Sequence, residues 1–350
     1  MSALLTVDLA ALVQNAQQVR RRVGPASMAA VVKADAYGLG AAQVVQALAM
    51  AGCGQFFVAH AAEACAIRPF VPHAQIFVLH GFDASAAGSF RDFRLTPVLN
   101  TPGQIKAYAG TGITLPAAVH IDTGMARLGL APDEIAAALS LTNIALVMSH
   151  LACGDDPASP MNARQLADFN AARQSLPTAP ASIAASGGTF LGSDFLLDLV
   201  RPGICLYGGA PHPGLPNPML PVVRLTAPIL QLREIDSGQS AGYGATYVAQ
   251  EPRRLATLGI GYADGILRSA SNRGSALVGG VRCPFAGRVS MDLVIVDVTD
   301  APRDAVFEGG EAVLIGPELT LDMAAEAAGT AAYEIITRLG PRIARRYVDG

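Results

Sequence analysis

The chain has 350 residues, of which 51% are hydrophobic and 15% are charged, and its formal net charge is -3. This composition supplies a large core, and the absence of a Lys/Arg run beyond Arg20 to Arg22 excludes a general nucleic-acid-binding surface. The five cysteines lack metal-ligand spacing, and the N-terminus lacks a basic, apolar leader. We therefore expect a reduced cytoplasmic protein with no resident metal ion and no membrane span.

The first two thirds of the chain alternate short apolar runs with alanine-rich helical stretches. A strand at Leu4–Asp8 and a helix over residues 9–23 come first. Eight strand candidates follow, over residues 28–33, 55–60, 76–80, 95–99, 116–121, 144–149, 181–186 and 199–207. Helices are predicted between them, over residues 41–51, 61–68, 85–92, 102–110, 132–141 and 160–175. Eight strands alternating with helices indicate an α/β protein built on a (β/α)₈ TIM barrel rather than on an open sheet.

The texture of the sequence changes after about residue 222. Helical periodicity returns only at 320–330, and the apolar runs before it are short, β-branched and bounded by turns, at 225–235, 254–261, 275–281, 283–289 and 293–298. This pattern predicts a mainly β domain. We therefore expect a barrel over residues 9–222 and a mainly β domain over residues 223–350, to which residues 1–8 also belong. The proline-rich stretch 211–221 is the expected linker.

Lys33 ends the first apolar run of the predicted barrel, and a glycine-punctuated turn follows it. α/β proteins place their chemistry at the C-terminal ends of their strands. Partial burial at such a place lowers the pKa of a lysine and favours its use in a Schiff base. A lysine that merely caps a strand is the simpler alternative.

Further polar residues lie where other predicted strands end. His120 and Asp122 follow the fifth strand, and Arg127 lies in the loop beyond them. His150 ends the sixth strand. If the barrel forms, these side chains share its C-terminal rim with Lys33.

A phosphate site is predicted at the same rim. Ser186-Gly187-Gly188 follows the seventh strand, and Arg201-Pro202-Gly203-Ile204 falls in the eighth. Backbone N–H groups and a serine hydroxyl at such turns hold phosphate in many barrels. A Schiff-base lysine together with a phosphate site implies pyridoxal phosphate (PLP). No GxGxxG, Walker A, HExxH or GxSxG motif offers a nucleotide, zinc or serine-hydrolase alternative.

These residues stand in segments that resemble the alanine racemase family. The segments follow the family's order over nearly the whole chain. They are VVKADAYG (31–38), DTGMARLG (122–129), MSHL (148–151), VRPGICLYG (200–208), GYGATY (242–247), GIGYADG (259–265), GRVSMD (287–292) and YE (333–334). The resemblance implies a PLP-dependent barrel with a C-terminal mainly β domain. It also implies an isomerase that interconverts L- and D-alanine and supplies D-alanine for peptidoglycan.

Carried over by position, the resemblance implies two catalytic bases on opposite faces of the substrate. Lys33 holds PLP as an aldimine and is the base on the D face. Tyr243, contributed by the partner subunit of a homodimer, is the base on the L face. His150 and Arg201 belong to the cofactor-binding set and tune that side of the site. Two positioned bases suffice for racemisation if the planar carbanion lies between them.

The remaining site residues follow from the same resemblance. Those that would hold the cofactor phosphate are Tyr37, Ser186, Gly203, Ile204 and Tyr333. Arg127 would contact the phenolic oxygen of the cofactor and the substrate carboxylate. Met291 would help to bind that carboxylate across the dimer through its backbone N–H. Tyr262 and Asp292 would line the entrance.

Arg201 bears on the outcome of the reaction. An arginine retains its proton in proteins, so beside the pyridine nitrogen it leaves the ring a weaker electron sink and favours proton exchange over transamination. Two alternatives remain: a PLP-dependent decarboxylase of a related barrel family, and a non-catalytic PLP-binding protein with a single barrel. The first would have an acidic residue where Arg201 stands, and the second would have no partner-supplied base such as Tyr243.

Four positions depart from the family pattern: Leu39, Ala185 and Ser290, which we expect only to modulate activity, and His120. His120 stands where many members have a lysine that is modified to a carbamate and orients the arginine seven residues later. We expect another acceptor to orient Arg127, either His120, an anion or water. The departure concerns affinity for the substrate carboxylate rather than the class of reaction.

Overall fold

Residues 2–349 are described by a computed structural model, which divides into two compact units. The barrel unit comprises residues 13–206 and 210–218. The β unit comprises residues 2–12, 207–209 and 219–349. Within residues 2–349, no helix has both the length and the apolar character needed to cross a membrane.

The chain begins as the sequence predicts. Strand β1 spans Leu4–Asp8 and helix α1 spans Leu9–Val23. Asp8 Oδ1 accepts a hydrogen bond from Ala11 N at 2.8 Å, which satisfies one of the free N–H groups of the first helical turn. Arg20, Arg21 and Arg22 occupy the last turn, where positive charge is favourable.

Short parallel strands form the wall of the barrel unit. They are β2 (Ser27–Met28), β3 (Ala30–Val31), β4 (Gln55–Val58), β5 (Gln75–Val78), β6 (Thr96–Leu99), β7 (Ala117–His120), β8 (Ile144–Met148), β9 (Ala181–Ser182) and β10 (Leu199–Val200). Strands β3 to β9 pair in chain order, and β10 pairs with β2. Ala29 alone separates β2 from β3, so the two form one wall position. The last gap is closed by a bridge between Ala185 and Arg201. The eight wall positions confirm the predicted barrel.

The core of the barrel takes one or two apolar side chains from nearly every wall strand. Its buried members are Ala29, Phe57, Phe77, Val98, Ala118, Leu146, Met148 and Leu199. The rings of Phe57 and Phe77 stack with centroids 4.4 Å apart. Strands covered on both faces read as continuous apolar runs, which is why the sequence revealed them.

Five α-helices follow the wall strands β3, β4, β5, β6 and β8. They are α2 (Ala41–Met50), α3 (Ala61–Ile67), α4 (Ala87–Asp92), α5 (Pro102–Ala109) and α6 (Met161–Arg173). Thr101 caps α5 by accepting a hydrogen bond from Gln104 N at 3.1 Å. The helix predicted over 132–141 is a 3₁₀ helix, Ile135–Ser140.

The β unit is mainly antiparallel. Its elements are β11 (Val223–Ile235), β12 (Ser240–Ala241), β13 (Tyr247–Val248), β14 (Arg253–Leu258), β15 (Ser275–Val278), β16 (Val281–Pro284), β17 (Val294–Asp297), β18 (Glu311–Ile315), α7 (Leu321–Ala328), α8 (Ala332–Thr337) and β19 (Ala344–Val348). The long β11 pairs with β1, β14 and β18, and β1 pairs in parallel with β19. The mainly β character is confirmed, although the sequence did not predict β18, α8 or β19.

The predicted strand over 199–207 is wrong beyond Val200, where β10 ends. Pro202 has no N–H to donate to a neighbouring strand. The N–H groups of Gly203 and Cys205 instead donate to the Ser186 side chain. Pro202 O still accepts a hydrogen bond from Val31 N of β3 at 2.9 Å, and beyond Pro202 the chain leaves the wall and continues as a 3₁₀ helix from Ile204.

Candidate active site

Lys33 lies two residues beyond the end of β3, in a left-handed turn. The next four residues, Ala34 to Tyr37, have φ between 52° and 59°. The prediction that the strand continues through Lys33 is therefore wrong. Each left-handed non-glycine residue costs roughly 1–2 kcal/mol. Such conformations persist only where the surrounding structure enforces them, and they concentrate at functional sites.

Two carboxylates hold this turn. Glu63 Oε1 accepts a hydrogen bond from Ala34 N at 2.8 Å, and its Oε2 accepts one from Ala59 N at 2.7 Å. Asp35 Oδ1 accepts one from Ala41 N, the first residue of α2, at 2.7 Å. Glu63 therefore ties the residue after Lys33 to the end of the neighbouring wall strand.

The surroundings of Lys33 suit imine formation. Burial lowers the pKa of its ammonium, and the positive charge of Arg127 lowers it further. The negative charge of Glu63 acts in the opposite direction. A lowered pKa increases the fraction of free amine, which is the form that attacks an aldehyde.

Ser186, Gly203 and Ile204 meet Tyr37 in a small cradle. Ser186 Oγ accepts hydrogen bonds from Gly203 N at 2.9 Å and from Cys205 N at 3.3 Å. A Cβ atom on Gly203 would lie 2.3 Å from the Tyr37 hydroxyl, so only glycine fits. Within residues 2–349, the N–H group of the buried Ile204 has no protein acceptor. Two hydroxyls and a free N–H group around a position that excludes a side chain fit a phosphate group.

Arg201 is buried, and its guanidinium lies against the ends of β8 and β9. It donates to the Ser182 hydroxyl, to Ser149 O at 2.6 Å and to His150 Nδ1 at 3.4 Å. Burial lowers the pKa of Arg201 to about 9, so it remains protonated at neutral pH. A guanidinium only donates, so His150 Nδ1 is an acceptor here.

His150 is held neutral by its environment. Burial lowers its pKa well below 6.5, and the charges of Arg201 and Arg127 act in the same direction. Because Nδ1 accepts from Arg201, the proton of the neutral ring lies on Nε2.

His120 ends β7 and is buried, with Nδ1 2.8 Å from Asn100 Oδ1. Burial lowers its pKa to about 4, with a smaller contribution from the charge of Arg201. Its backbone O accepts from Leu130 N at 2.8 Å, which closes the loop that carries Arg127. The backbone of His120 therefore fixes the end of the loop that carries Arg127.

The loop itself is organised by Asp122. Its carboxylate accepts hydrogen bonds from the backbone N–H groups of Gly124, Met125 and Ala126, at 2.9–3.2 Å. Arg127 comes next and is exposed. No residue in 2–349 forms a hydrogen bond or ion pair with its guanidinium, which leaves its donors available to a ligand.

The β unit presents its predicted site residues on exposed turns. Tyr243, between Gly242 and Gly244, is 72% exposed, and Met291 is 54% exposed. Tyr262 N donates to Ser290 O at 2.9 Å, which joins two of these turns. The Met291 N–H finds no protein acceptor in residues 2–349. Of the two remaining predicted residues, Asp292 forms an ion pair with Arg342, and Tyr333 lies on α8, 46% exposed.

Sequence reasoning missed three residues that shape the Lys33 surroundings. Glu63 stands three residues after His60 at the start of α3, a spacing typical of a capping box that could have drawn attention to it. Asn100 and His80 carried no such signal. The ring centroids of His80 and His60 lie 4.1 Å apart, with one ring edge-on to the other. Burial lowers the pKa of His80, and the charges of His60 and Lys33 lower it further. His80 is therefore close enough to Lys33 to feel its charge.

A partly buried lysine at a barrel rim, a phosphate cradle and a separate β unit define a class: PLP-dependent barrel enzymes. Residues 7–211 match the alanine racemase N-terminal domain, and residues 222–347 match the alanine racemase C-terminal domain. The chain belongs to the alanine racemase family. It is therefore an isomerase, and PLP is its cofactor.

Individual relatives agree with this assignment. The alanine racemase of Methylobacterium nodulans is 50% identical over 99% of this chain and 96% of its own. The catabolic alanine racemase of Agrobacterium fabrum is 48% identical over 99% of this chain and 92% of its own. The crystal structure of the Bartonella henselae alanine racemase, with covalently bound pyridoxal phosphate, is similar with a TM-score of 0.94. It is 39% identical and covers 99% of this chain and 100% of its own.

Proposed function

We propose that this protein interconverts L-alanine and D-alanine by two-base proton exchange, with Lys33 and Tyr243 as the bases. The observation that carries the proposal is the strained, carboxylate-held turn that places a partly buried Lys33 beside Arg127. Bound PLP supplies the electron sink that acidifies the Cα–H of the amino acid. Lys33 Nζ and Tyr243 Oη then hold or release the proton, each on its own face.

The cofactor is held, in this proposal, by the cradle and by two tuning residues. Tyr37, Ser186, Gly203 and Ile204 bind the phosphate, and Tyr333 is assigned to the same task from the resemblance. Arg201 donates a hydrogen bond to the pyridine nitrogen without giving up its proton. Arg201 also contacts His150, which is neutral. This supports the assignment, because His150 then adds no second positive charge beside the pyridine nitrogen.

The substrate carboxylate is bound by donors that have no other partner. The Arg127 guanidinium and the Met291 N–H both lack acceptors within residues 2–349, and charge-assisted hydrogen bonds are the strong ones. Tyr262 and Asp292 line the entrance. We expect the substrate to be a small amino acid, and alanine is one.

The active site is shared between two subunits of a homodimer. The barrel, residues 9–222, binds PLP, and residues 223–350 with 1–8 contribute Tyr243, Tyr262, Met291 and Asp292 to the partner. The exposure of Tyr243 and Met291 supports this, because both side chains are available to a partner subunit. The protein acts in the cytoplasm, supplies D-alanine for peptidoglycan and has no nucleic-acid or membrane partner.

Subunit complementation tests the shared site. Lys33→Ala and Tyr243→Phe each remove one base and should each abolish racemisation. In a heterodimer of the two variants, purified with two different tags, one site regains both bases and the other has neither. We expect about half of the wild-type rate per dimer. An inactive heterodimer that binds PLP at one site would exclude a partner-supplied Tyr243.

A further inference from the structure

Arg342 joins two exposed turns of the β unit. Its Nε lies 2.9 Å from Asp264 Oδ1, and its Nη1 lies 2.8 Å from Asp292 Oδ1. Asp264 ends the turn that carries Tyr262, and Asp292 directly follows Met291. We call Arg342, Asp264 and Asp292 the Arg342 clamp.

Asp264 is held in place by hydrogen bonds to the backbone around it. Asp264 is 5% exposed, and its Oδ2 accepts a hydrogen bond from Gly261 N at 2.9 Å. Its backbone O accepts one from Gly340 N at 2.9 Å, which ties the turn to the segment that carries Arg342. Arg342 is thus held at its base as well as through its guanidinium.

The two turns also meet backbone to backbone. Ala263 N donates to Met291 O at 2.9 Å. A Cβ atom on Gly261 would lie 2.4 Å from the same oxygen, so the approach requires glycine. The peptide group that bears the Met291 N–H lies at the tip of this contact, and its orientation depends on how firmly the turns are held together.

We propose that Arg342 is a positioning residue, which orients the Met291 N–H toward the substrate carboxylate by clamping Asp292 to Asp264. The inference rests on the proposed function, in which Met291 binds that carboxylate. The pair with Asp292 is exposed on both sides, at 53% for Arg342 and 54% for Asp292. An exposed ion pair contributes little to the stability of the fold. We therefore assign the Arg342–Asp292 pair an effect on the orientation of the Met291 N–H.

Arg342→Met keeps the aliphatic stem and removes both ion pairs. The substrate carboxylate is present in the ground state and in the transition state. A misoriented Met291 N–H should therefore weaken the binding of both states alike. We expect KM for L-alanine to rise about tenfold, as for a lost hydrogen bond to a charged group, and kcat to change less than about threefold. Arg342→Lys reaches only one carboxylate and should give an intermediate KM.

Arg303→Met is the matched control. It breaks a different exposed ion pair of the β unit, Arg303 with Glu234 at 2.8 Å, and should leave KM unchanged. Thermal unfolding of the PLP-loaded dimers is measured beside the kinetics. A lower unfolding midpoint of Arg342→Met with an unchanged KM would assign Arg342 a structural role and overturn the proposal.

Asp292→Asn keeps the test decisive if Arg342→Met folds poorly, because the buried pair with Asp264 remains. It should raise KM as Arg342→Met does, and the double variant should show no further increase in KM, since both changes remove the Arg342–Asp292 pair. An unchanged KM in Asp292→Asn, or fully additive effects, would contradict the clamp. If the wild-type protein does not racemise alanine, the proposed function has failed, and that result is seen before any variant is compared.

Discussion

His120 donates its Nδ1–H to Asn100 Oδ1 across 2.8 Å, and the direction of this hydrogen bond is fixed by the rest of the Asn100 amide. Asn100 Nδ2 donates to Leu79 O at 3.0 Å and to Val98 O at 2.8 Å. Its oxygen must therefore be the acceptor for His120. The lone pair of the neutral ring is then on Nε2, which accepts a hydrogen bond from no residue in 2–349. His120 is therefore an uncharged acceptor at the end of β7.

The buried state of His120 predicts a pH dependence of stability. The pKa of His120 falls from 6.5 to about 4 on folding. As the pH falls, His120 is therefore protonated in the unfolded chain before it is protonated in the folded one. Stability is therefore lost as the pH falls through 6.5 toward 4, by about 2 kcal/mol between pH 7 and pH 5 from this residue. Denaturant unfolding of wild type and His120→Leu at both pH values measures it. An equal loss in the variant would contradict the assignment.

Charges around Lys33 predict opposite shifts in cofactor uptake. Arg127 lowers the pKa of Lys33 and Glu63 raises it. The pH profile of covalent PLP attachment to the apoprotein should therefore move to higher pH in Arg127→Gln and to lower pH in Glu63→Gln. Borohydride trapping at a series of pH values, followed by mass spectrometry, gives the profile. Arg91→Gln, which breaks an exposed pair with Asp92, should not shift it.

Gly203→Ala should weaken PLP binding. The added Cβ would lie 2.3 Å from the Tyr37 hydroxyl and must displace it from the cradle. We expect the dissociation constant of PLP to rise at least about tenfold, the effect of losing one charge-assisted hydrogen bond. Gly88→Ala is the control, because a Cβ there meets nothing within 4 Å and the position is helical. Equal PLP affinity in both variants would remove Gly203 from the cradle.

Arg201→Glu should change the product spectrum. A carboxyl group can share a proton with the pyridine nitrogen, which makes the ring a stronger electron sink and allows protonation away from Cα. The ratio of pyruvate to D-alanine formed from L-alanine should rise. Arg201→Gln, which cannot supply that proton, should leave the ratio near that of wild type. The same ratio in all three proteins would contradict the role given to Arg201.

The sequence revealed the barrel because its strands are continuous apolar runs such as Gln55–Val58 and Ile144–Met148. It also revealed a mainly β second unit. It did not reveal the left-handed turn after Lys33, because alanine and aspartate carry no local preference for four successive positive φ angles. The turn is held in part by Glu63, which lies 30 positions after Lys33 and accepts a hydrogen bond from Ala34 N.

The polar partners of the site residues were equally hidden. Asn100 meets His120 because β6 and β7 are neighbours in the barrel wall, and Arg342 meets Asp264 through the turn at Gly340. Such pairs depend on tertiary proximity rather than on spacing in the sequence. The catalytic and binding roles of Lys33, Tyr243 and the other site residues remain predictions.

Chiral analysis of alanine tests the central claim most directly. The PLP-loaded protein is incubated with pure L-alanine, and both enantiomers and total alanine are measured over time, with Tyr243→Phe as the control. We expect equal amounts of L- and D-alanine at equilibrium, no loss of total alanine, and no D-alanine from the variant. Loss of alanine without the D form would indicate decarboxylation or transamination. Unchanged L-alanine would indicate another substrate or a PLP-binding protein without this activity.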